Sequence, residues 1–343
     1  MTAQRGPLAT GIRGTGSFLP PDTVPNSVVA ERVGVTADWI VRKTGIHERR
    51  YVADHEATSD LAVAAARAAL ADAGVGARRL GWIVVATSTP DHPQPATASL
   101  VQYRLGAAGA AAFDINAVCS GFVFALVTAA RLLCADTAGE APYGLVVGAD
   151  VYSRIIDPTD RRTAVLFGDG AGAVVLGPVR AGYGIVGSDL TSFGEHHDMI
   201  GVPAGGSRTP ASEKSLAEGE HFFRMRGRAV REFVTAELPA AIQRLLSTCG
   251  TDPHAVDHFV PHQANGAMLL EVLPRLGLPR ARTHMTVAEH ANTGAASVPL
   301  ALDAARRAGA FHDGDTLLLA GFGGGMSIGT ALLRWDGTAA PTR

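Results

Sequence analysis

The chain has 343 residues, of which 47% are hydrophobic and 18% charged, and its formal net charge is -2. This composition is typical of a compact globular protein and excludes a disordered one, and the small charge gives no reason to expect a nucleic acid partner. Three cysteines without a CxxC pair exclude a zinc ribbon and favour a reducing, cytoplasmic compartment.

Neither end nor interior of the chain carries an evident membrane signal. Residues 1–14 contain no apolar core, so we expect no signal peptide. Apolar runs such as residues 317–320 are too short to span a bilayer, so we expect no membrane association.

Short apolar runs alternate with longer helical patterns along the chain. Strands are predicted at residues 81–87, 112–116, 145–149, 171–176, 185–189, 258–261, 316–320 and 328–335. Helices are predicted at residues 59–73, 96–105, 119–135, 227–248, 264–276 and 296–308. This alternation predicts an α/β fold with buried, mostly parallel strands.

The sequence also contains signs of an internal duplication. Residues 116–131 resemble residues 292–307, and residues 170–176 resemble residues 327–333 in the same order. We therefore expect two similar halves, residues 1–178 and 179–343, joined at residues 178–184. A pseudo-twofold axis between them would bring the starts of two helices together at a shared cleft.

Cys119 stands between a predicted strand and a predicted helix. Free backbone N–H groups and the helix dipole favour a thiolate there, and a thiolate is suited to take an acyl group from a thioester. A single cysteine in an apolar segment is more often only a small buried side chain. Cys134 and Cys249 lack this turn and are interpreted as structural.

Two further polar sites interrupt apolar surroundings. His262 follows a predicted strand in the segment 260–265, and Asn292 lies in a loop of small residues at 290–299. Each alone is more often a hydrogen-bonded structural residue. Together with Cys119, they place a thiol, an imidazole and an amide at three junctions of a duplicated α/β chain. His254, His258 and His262 are four residues apart, but Pro261 and the strand pattern break any helix that would bring them together, so we expect no metal.

These segments resemble the β-ketoacyl-acyl-carrier-protein synthase III family of the thiolase superfamily. The resemblance covers residues 8–335 and is carried by these stretches: 14–20, 39–46, 84–87, 119–122, 157–161, 167–172, 261–265, 292–299 and 322–325. It implies the thiolase fold, an internally duplicated αβαβα arrangement of five layers.

The resemblance also implies a reaction and its residues. Cys119 would accept an acyl group from acyl-CoA, and His262 and Asn292 would hold the enolate formed when a malonyl thioester loses CO2. Gly324, with the backbone of Cys119, would bind the oxyanion, and Phe322 would provide apolar surroundings for decarboxylation. The product would prime fatty-acid or polyketide biosynthesis. No tightly bound cofactor is implied.

Coenzyme A binding is implied for Trp39, Arg161, Lys43, Arg42 and Asn265. Lys43 stands where the family has arginine, and Arg42 beside it could compensate.

An acyl carrier protein is implied as the malonyl carrier, but the basic residues that the family has after Asn265 are replaced here. The replacements are Gly266, Ala267 and Pro274, while nearby arginines that could steer an acidic carrier are Arg224, Arg226, Arg228, Arg231 and Arg275.

The implied acyl pocket departs from the family pattern at two positions. Gln94 replaces an aromatic tip on a loop that crosses the interface of a homodimer, and Tyr152 replaces a smaller aliphatic residue. These changes predict a starter other than acetyl.

Two other functions would use the same residues differently. A ketosynthase-like acyltransferase would move the acyl group to a hydroxyl, amine or carrier thiol without forming a C–C bond, and Asn292 argues against it. A catalytically inactive partner subunit is disfavoured by the intact Cys, His and Asn set.

Overall fold

The computed structural model describes residues 9–135 and 142–338. The expectation of no signal peptide therefore falls largely outside the described residues. The strands are β1 Thr10–Phe18, β2 Thr23–Pro25, β3 Glu48–Arg50, β4 Leu80–Ala86, β5 Ala111–Ile115, β6 Tyr143–Val151, β7 Asp169–Pro178, β8 Gly184–Ser192, β9 Ile200–Gly201, β10 Arg224–Met225, β11 His258–Pro261, β12 Arg282–Thr283, β13 Thr316–Gly323 and β14 Ser327–Arg334. The helices are α1 Asn26–Val33, α2 Ala37–Thr44, α3 Thr58–Ala73, α4 Thr97–Leu105, α5 Gly121–Ala135, α6 Glu213–Ala217, α7 Gly227–Thr248, α8 Gly266–Val272, α9 Val287–His290 and α10 Ser297–Arg307.

Two five-stranded sheets repeat one topology. Their strand orders are β1-β7-β6-β4-β5 and β8-β14-β13-β11-β12, so each strand of the first has a counterpart in the second. This repetition confirms the expected duplicated fold. We propose that the halves divide after Pro178, where β7 ends before β8 begins at Gly184.

The strands are less parallel than predicted. In the first sheet β4 pairs in parallel with β5 and β6, whereas β7 pairs antiparallel with β6 and β1. The second sheet has the same mixture. Two neighbouring parallel strands need a long crossover connection, usually a helix. No helix as long as α3 or α5 lies between β6 and β7, so these two strands can pair antiparallel. The expectation of mostly parallel strands was wrong.

Helices and sheets alternate in five layers. Residues of α3 and α4 pack on the outer face of the first sheet, and those of α7 and α8 pack on the outer face of the second. Between the sheets, α5 and α10 bury side chains against both. This middle layer begins at the two helix starts that carry the candidate site.

Helix α5 corrects the expectation about apolar runs. The window Val118–Ala135 is long and apolar enough to cross a membrane, with a mean hydropathy of 2.0, and 56% of it is buried inside the protein. Because both faces of α5 contact a sheet, its composition is that of a core helix.

Candidate active site

Cys119 is held in a tight turn at the end of β5. A single 3₁₀ turn, Val118–Ser120, joins the strand to α5. Val118 has φ of 48°, which a β-branched residue rarely adopts, and its N–H donates to the Asn116 side chain at 3.2 Å. Strained backbone of this kind persists only where surrounding contacts hold it. The turn thus fixes the position of the thiol.

His262 lies one residue beyond β11, and its backbone N–H donates to the Ala320 carbonyl of β13 at 2.7 Å. The side chain is 1% exposed, and its Nδ1 lies 2.6 Å from Ser297 Oγ. The ring meets Phe322 edge to face, with centroids 5.1 Å apart. Burial lowers the pKa of His262 to about 3, so the imidazole is neutral at physiological pH.

Asn292 lies between α9 and α10, directly after Ala291, whose φ is 57°. Its backbone N–H donates to the Leu166 carbonyl at 2.9 Å. Its Oδ1 accepts a hydrogen bond from the Gly294 N–H at 2.9 Å. Because the oxygen is engaged, the amide NH2 group is the part of this side chain left to meet a ligand.

These three side chains line one cavity of about 620 Å³. Cys119 comes from the first half of the chain, and His262 and Asn292 come from the second. The two halves therefore meet at the cavity, as the duplicated sequence predicts. Its walls are largely apolar and include Phe167 and Phe223. Sequence reasoning missed these wall residues, because single aromatic residues in apolar segments resemble ordinary core.

The surroundings of Cys119 disfavour the thiolate that the sequence predicts. Burial raises the pKa of the Cys119 thiol to about 12, and the Asp150 carboxylate nearby adds to the rise. The nearby Tyr152 hydroxyl and the Cys119 backbone N–H act in the opposite direction. The raised pKa keeps the Cys119 side chain protonated at pH 7. The resting nucleophile is therefore a thiol.

Asp150 is positioned by five hydrogen bonds behind Cys119. It accepts from the side chains of Thr87, Ser88 and Thr89 and from the backbone N–H groups of Ser88 and Ala295. The last of these bonds ties β6 to the turn that precedes α10. Asp150 thus joins the two halves directly beneath the cavity.

The end of β13 approaches Cys119 closely. A Cβ on Gly323 would lie 2.7 Å from the Cβ of Cys119, so only glycine fits there. The predicted oxyanion residue, Gly324, lies one position further on and faces Val118 and Ile200. Phe322 and Gly323 line the cavity.

Comparison with known proteins identifies the family. Residues 113–194 match 3-oxoacyl-[acyl-carrier-protein (ACP)] synthase III, and residues 246–335 match its C-terminal part. Acetoacetyl CoA synthase NphT7 of Streptomyces sp. strain CL190 is 55% identical over 94% of this chain and 98% of its own length. β-Ketoacyl-[acyl-carrier-protein] synthase III of Rhodospirillum rubrum is 47% identical, again over 94% and 98%. The crystal structure of 3-oxoacyl-(acyl carrier protein) synthase III from Pseudomonas aeruginosa PAO1 superposes with a TM-score of 0.86 and 39% identity, covering 96% of this chain and 98% of the other.

The chain belongs to the 3-oxoacyl-ACP synthase III family. It is an acyl-transferring condensing enzyme with the thiolase fold. Enzymes of this synthase III family use acyl-CoA together with malonyl-ACP or malonyl-CoA, and they need no tightly bound cofactor. Within residues 9–135 and 142–338, no group of three or more His, Cys, Asp or Glu residues could hold a metal ion.

The residues expected to bind CoA in this synthase III surround the cavity mouth. Trp39 and Lys43 of α2, Arg161 and Asn265 line the cavity. Arg42 instead lines an adjoining space of about 250 Å³, which it shares with Lys43 and Asn265.

Asn265 also has a structural role at this mouth. Its Oδ1 caps α8 by accepting from the Met268 N–H at 3.0 Å, and its Nδ2 donates to the Lys43 carbonyl at 3.3 Å. This cap explains why α8 begins at Gly266 and not at the predicted residue 264.

Neither residue expected in the acyl pocket lines the cavity of this chain. Gln94 is exposed in the loop before α4. Tyr152 is 1% exposed, and its ring stacks on Phe167 with centroids 4.4 Å apart and meets Phe223 edge to face at 5.7 Å. The Tyr152 ring therefore fills space behind the cavity wall and does not border an open pocket.

Proposed function

We propose that Cys119 is the acyl-accepting nucleophile of this synthase III and that His262 and Asn292 promote the decarboxylative condensation. One observation carries the proposal: three buried residues far apart in sequence line a single cavity. Each is held by its own backbone contacts, so the geometry is present before substrate arrives.

In the first half-reaction, Cys119 Sγ attacks the thioester carbonyl of acyl-CoA. The new bond is an S–C thioester, the bond to the CoA sulfur breaks, and the thiol proton passes to the departing CoA thiolate. Because the pKa of the Cys119 thiol is raised, proton loss accompanies the attack and does not precede it. The backbone N–H groups of Cys119 and Gly324 stabilise the oxyanion of the tetrahedral intermediate.

In the second half-reaction, a malonyl thioester places its carbonyl oxygen between His262 and Asn292. Its carboxylate leaves as CO2, and the bonding electron pair becomes an enolate whose charge is held by the two side-chain N–H donors. The edge-to-face contact of Phe322 with His262 keeps this region apolar, which favours loss of a charged carboxylate. The enolate carbon then attacks the acyl carbonyl on Cys119 and releases the cysteine thiolate, which is reprotonated.

The starter acyl group is proposed to be short. Tyr152 and its two aromatic neighbours close the space behind the wall, and a longer chain would have to displace them. This argument opposes the sequence-based expectation that acetyl is disfavoured, which rested on Gln94 and Tyr152.

The acceptor is proposed to be carried by coenzyme A. Three of the arginines expected to steer an acidic carrier protein are paired with acids on the same surface: Arg226 with Asp198, Arg228 with Glu232, and Arg231 with Glu271. Such pairs present little net charge to an acidic partner. Trp39, Lys43 and Arg161 at the cavity mouth suit the adenine and phosphates of CoA. The name of the Streptomyces relative, an acetoacetyl CoA synthase, agrees with a CoA-borne product.

A homodimer is proposed from the exposed edge of the first sheet. Strand β5 pairs only with β4 among the described residues, and an apolar edge strand favours pairing with a second copy. Asp114 of β5 accepts from the Thr97 N–H at 2.7 Å, so the Gln94 loop lies at the same edge. An active species of 35.4 kDa in light scattering would refute the dimer.

A cytoplasmic location is proposed from the cysteines. All three are free thiols, as expected in a reducing compartment. Fractionation of the producing cells with a redox-sensitive thiol label checks this expectation. Recovery of the enzyme outside the cytoplasmic fraction would contradict it.

Intact mass spectrometry tests the proposed nucleophile. The wild-type protein is incubated with a panel of acyl-CoAs, and one acyl mass is expected to be added. Cys119→Ala should abolish the adduct, whereas Cys134→Ala, which removes an exposed cysteine, should keep it. An adduct on Cys119→Ala would overturn the assignment. An acylated wild type that never releases CO2 from malonyl-CoA would instead favour the acyltransferase alternative.

A further inference from the structure

Ser297 contacts the candidate histidine from behind. It is the first residue of α10 and is 1% exposed. Its Oγ lies 2.6 Å from Nδ1 of His262, on the side of the ring opposite Nε2. The same Oγ accepts the backbone N–H of Gln263 at 3.3 Å. None of the roles proposed above uses this hydroxyl group.

The hydrogen-bond inventory decides the direction of the short contact. A serine hydroxyl has one hydrogen to donate and two lone pairs. The Gln263 N–H occupies one lone pair of Ser297 Oγ. Within the described residues the only acceptor recorded for the hydroxyl hydrogen is Nδ1 of His262, so we assign the donation to Ser297. A neutral imidazole carries its hydrogen on one nitrogen only, and the bond made by one nitrogen sets the state of the other. If Ser297 donates to Nδ1, the hydrogen of His262 resides on Nε2.

This tautomer is the one the condensation needs. Stabilising an enolate oxygen requires an N–H donor that faces the cavity, and the opposite tautomer would present a lone pair to a developing negative charge. The lowered pKa of His262 supports the argument, because a neutral ring must choose between the two nitrogens.

We propose that Ser297 is a positioning residue that donates to Nδ1 of His262 and thereby holds the Nε2–H tautomer for enolate stabilisation. The inference rests on the proposed function of His262. It assigns no contact with substrate to Ser297 and predicts a defect confined to the second half-reaction.

The test compares Ser297→Ala with Thr293→Val. Thr293 lies in the same segment and is buried, and its hydroxyl has no hydrogen-bond partner within the structure described, so this variant is a matched control. We expect Ser297→Ala to slow CO2 release from malonyl-CoA by about 10- to 100-fold, the range known for partners that orient a metal-bound imidazole. Acylation of Cys119 should stay near the wild-type rate. Thr293→Val should change neither step.

A spectroscopic readout separates positioning from folding. Proteins labelled with ¹⁵N-histidine are compared by NMR, in which the two ring nitrogens report which one carries hydrogen. The wild type should show Nε2–H at His262, identified by its loss in His262→Ala, and Ser297→Ala should show a mixture of tautomers. Ser297→Thr, which keeps the hydroxyl, should restore the wild-type tautomer and most of the decarboxylation.

Two outcomes would overturn the inference. One is a wild-type spectrum with hydrogen on Nδ1. The other is a folded Ser297→Ala protein that decarboxylates at the wild-type rate. Failure of the proposed function gives a different result: the wild type would release no CO2 from malonyl-CoA, although NMR would still report the His262 tautomer.

Discussion

Replacing Asn292 by alanine should separate the two half-reactions of this synthase III. The substitution removes the amide NH2 that we assign to the enolate, but it leaves Cys119 and its turn intact. It also removes Oδ1, the acceptor of the Gly294 N–H. The expected result is an enzyme that takes up an acyl group and does not condense it.

The magnitude follows from these two contacts. Loss of one donor to a developing oxyanion costs about 2.7–4 kcal/mol, which is about 10²- to 10³-fold in rate. The unpaired Gly294 N–H costs folding about 1–3 kcal/mol, because it is buried. Loss of the Gly294 hydrogen bond lowers the amount of folded protein and affects both half-reactions alike. Loss of the amide donor affects condensation alone.

The assay therefore measures both steps on the same sample. Intact mass after addition of acyl-CoA counts folded, acylated protein, and chromatography of products from malonyl-CoA measures decarboxylation per acylated molecule. We expect nearly complete acylation and a decarboxylation rate at least about 100-fold below wild type. Condensation by Asn292→Ala at the wild-type rate would refute the enolate role and favour simple acyl transfer.

Three further predictions concern the thiol, the acyl wall and the cavity mouth. Because the pKa of Cys119 is raised to about 12, its alkylation by iodoacetamide should accelerate about tenfold per pH unit from about pH 7 to pH 9. A plateau below pH 9 would contradict this. Tyr152→Leu should raise kcat/KM for donors longer than acetyl relative to acetyl-CoA in competition assays, and an unchanged ratio would count against the aromatic wall. Arg231→Ala should raise KM for acyl-CoA by at most about tenfold, because this half-exposed charge is screened by solvent. Arg228→Ala, which lies outside the cavity, is its control, and equal effects would remove Arg231 from the site.

Much of the fold was predictable because buried strands and helices have distinct patterns. Helix α7 was predicted with the bounds observed, and most other predicted elements differ by only a few residues. Strand β1 was missed because its glycines resemble a loop. In the structure a Cβ on Gly14 or Gly16 would lie 2.5 or 2.3 Å from the backbone of α3. The glycines permit a strand and a helix to touch, which is a property of packing and not of the local pattern.

The candidate site was predictable in its members but not in its electrostatics. The segments around Cys119, His262 and Asn292 carried the resemblance, and these three residues do line one cavity. Their catalytic roles remain predictions. The thiolate was expected from the helix start alone, whereas burial and the nearby Asp150 raise the pKa of the thiol. Ser297 lies in the segment 292–299, and only the fold shows that its hydroxyl meets the imidazole that follows β11.

Helix α5 has a consequence for how the chain is made. One of its faces is covered by α10, β13 and β14, which are synthesised long after α5. This apolar face therefore stays uncovered until the second half of the chain has been made. A fragment ending at Pro178 would leave that face in water, and we expect it to aggregate or be retained by chaperones. The two repeats are therefore units of architecture but not units of folding, and the enzyme gains its middle layer only when the chain is nearly complete.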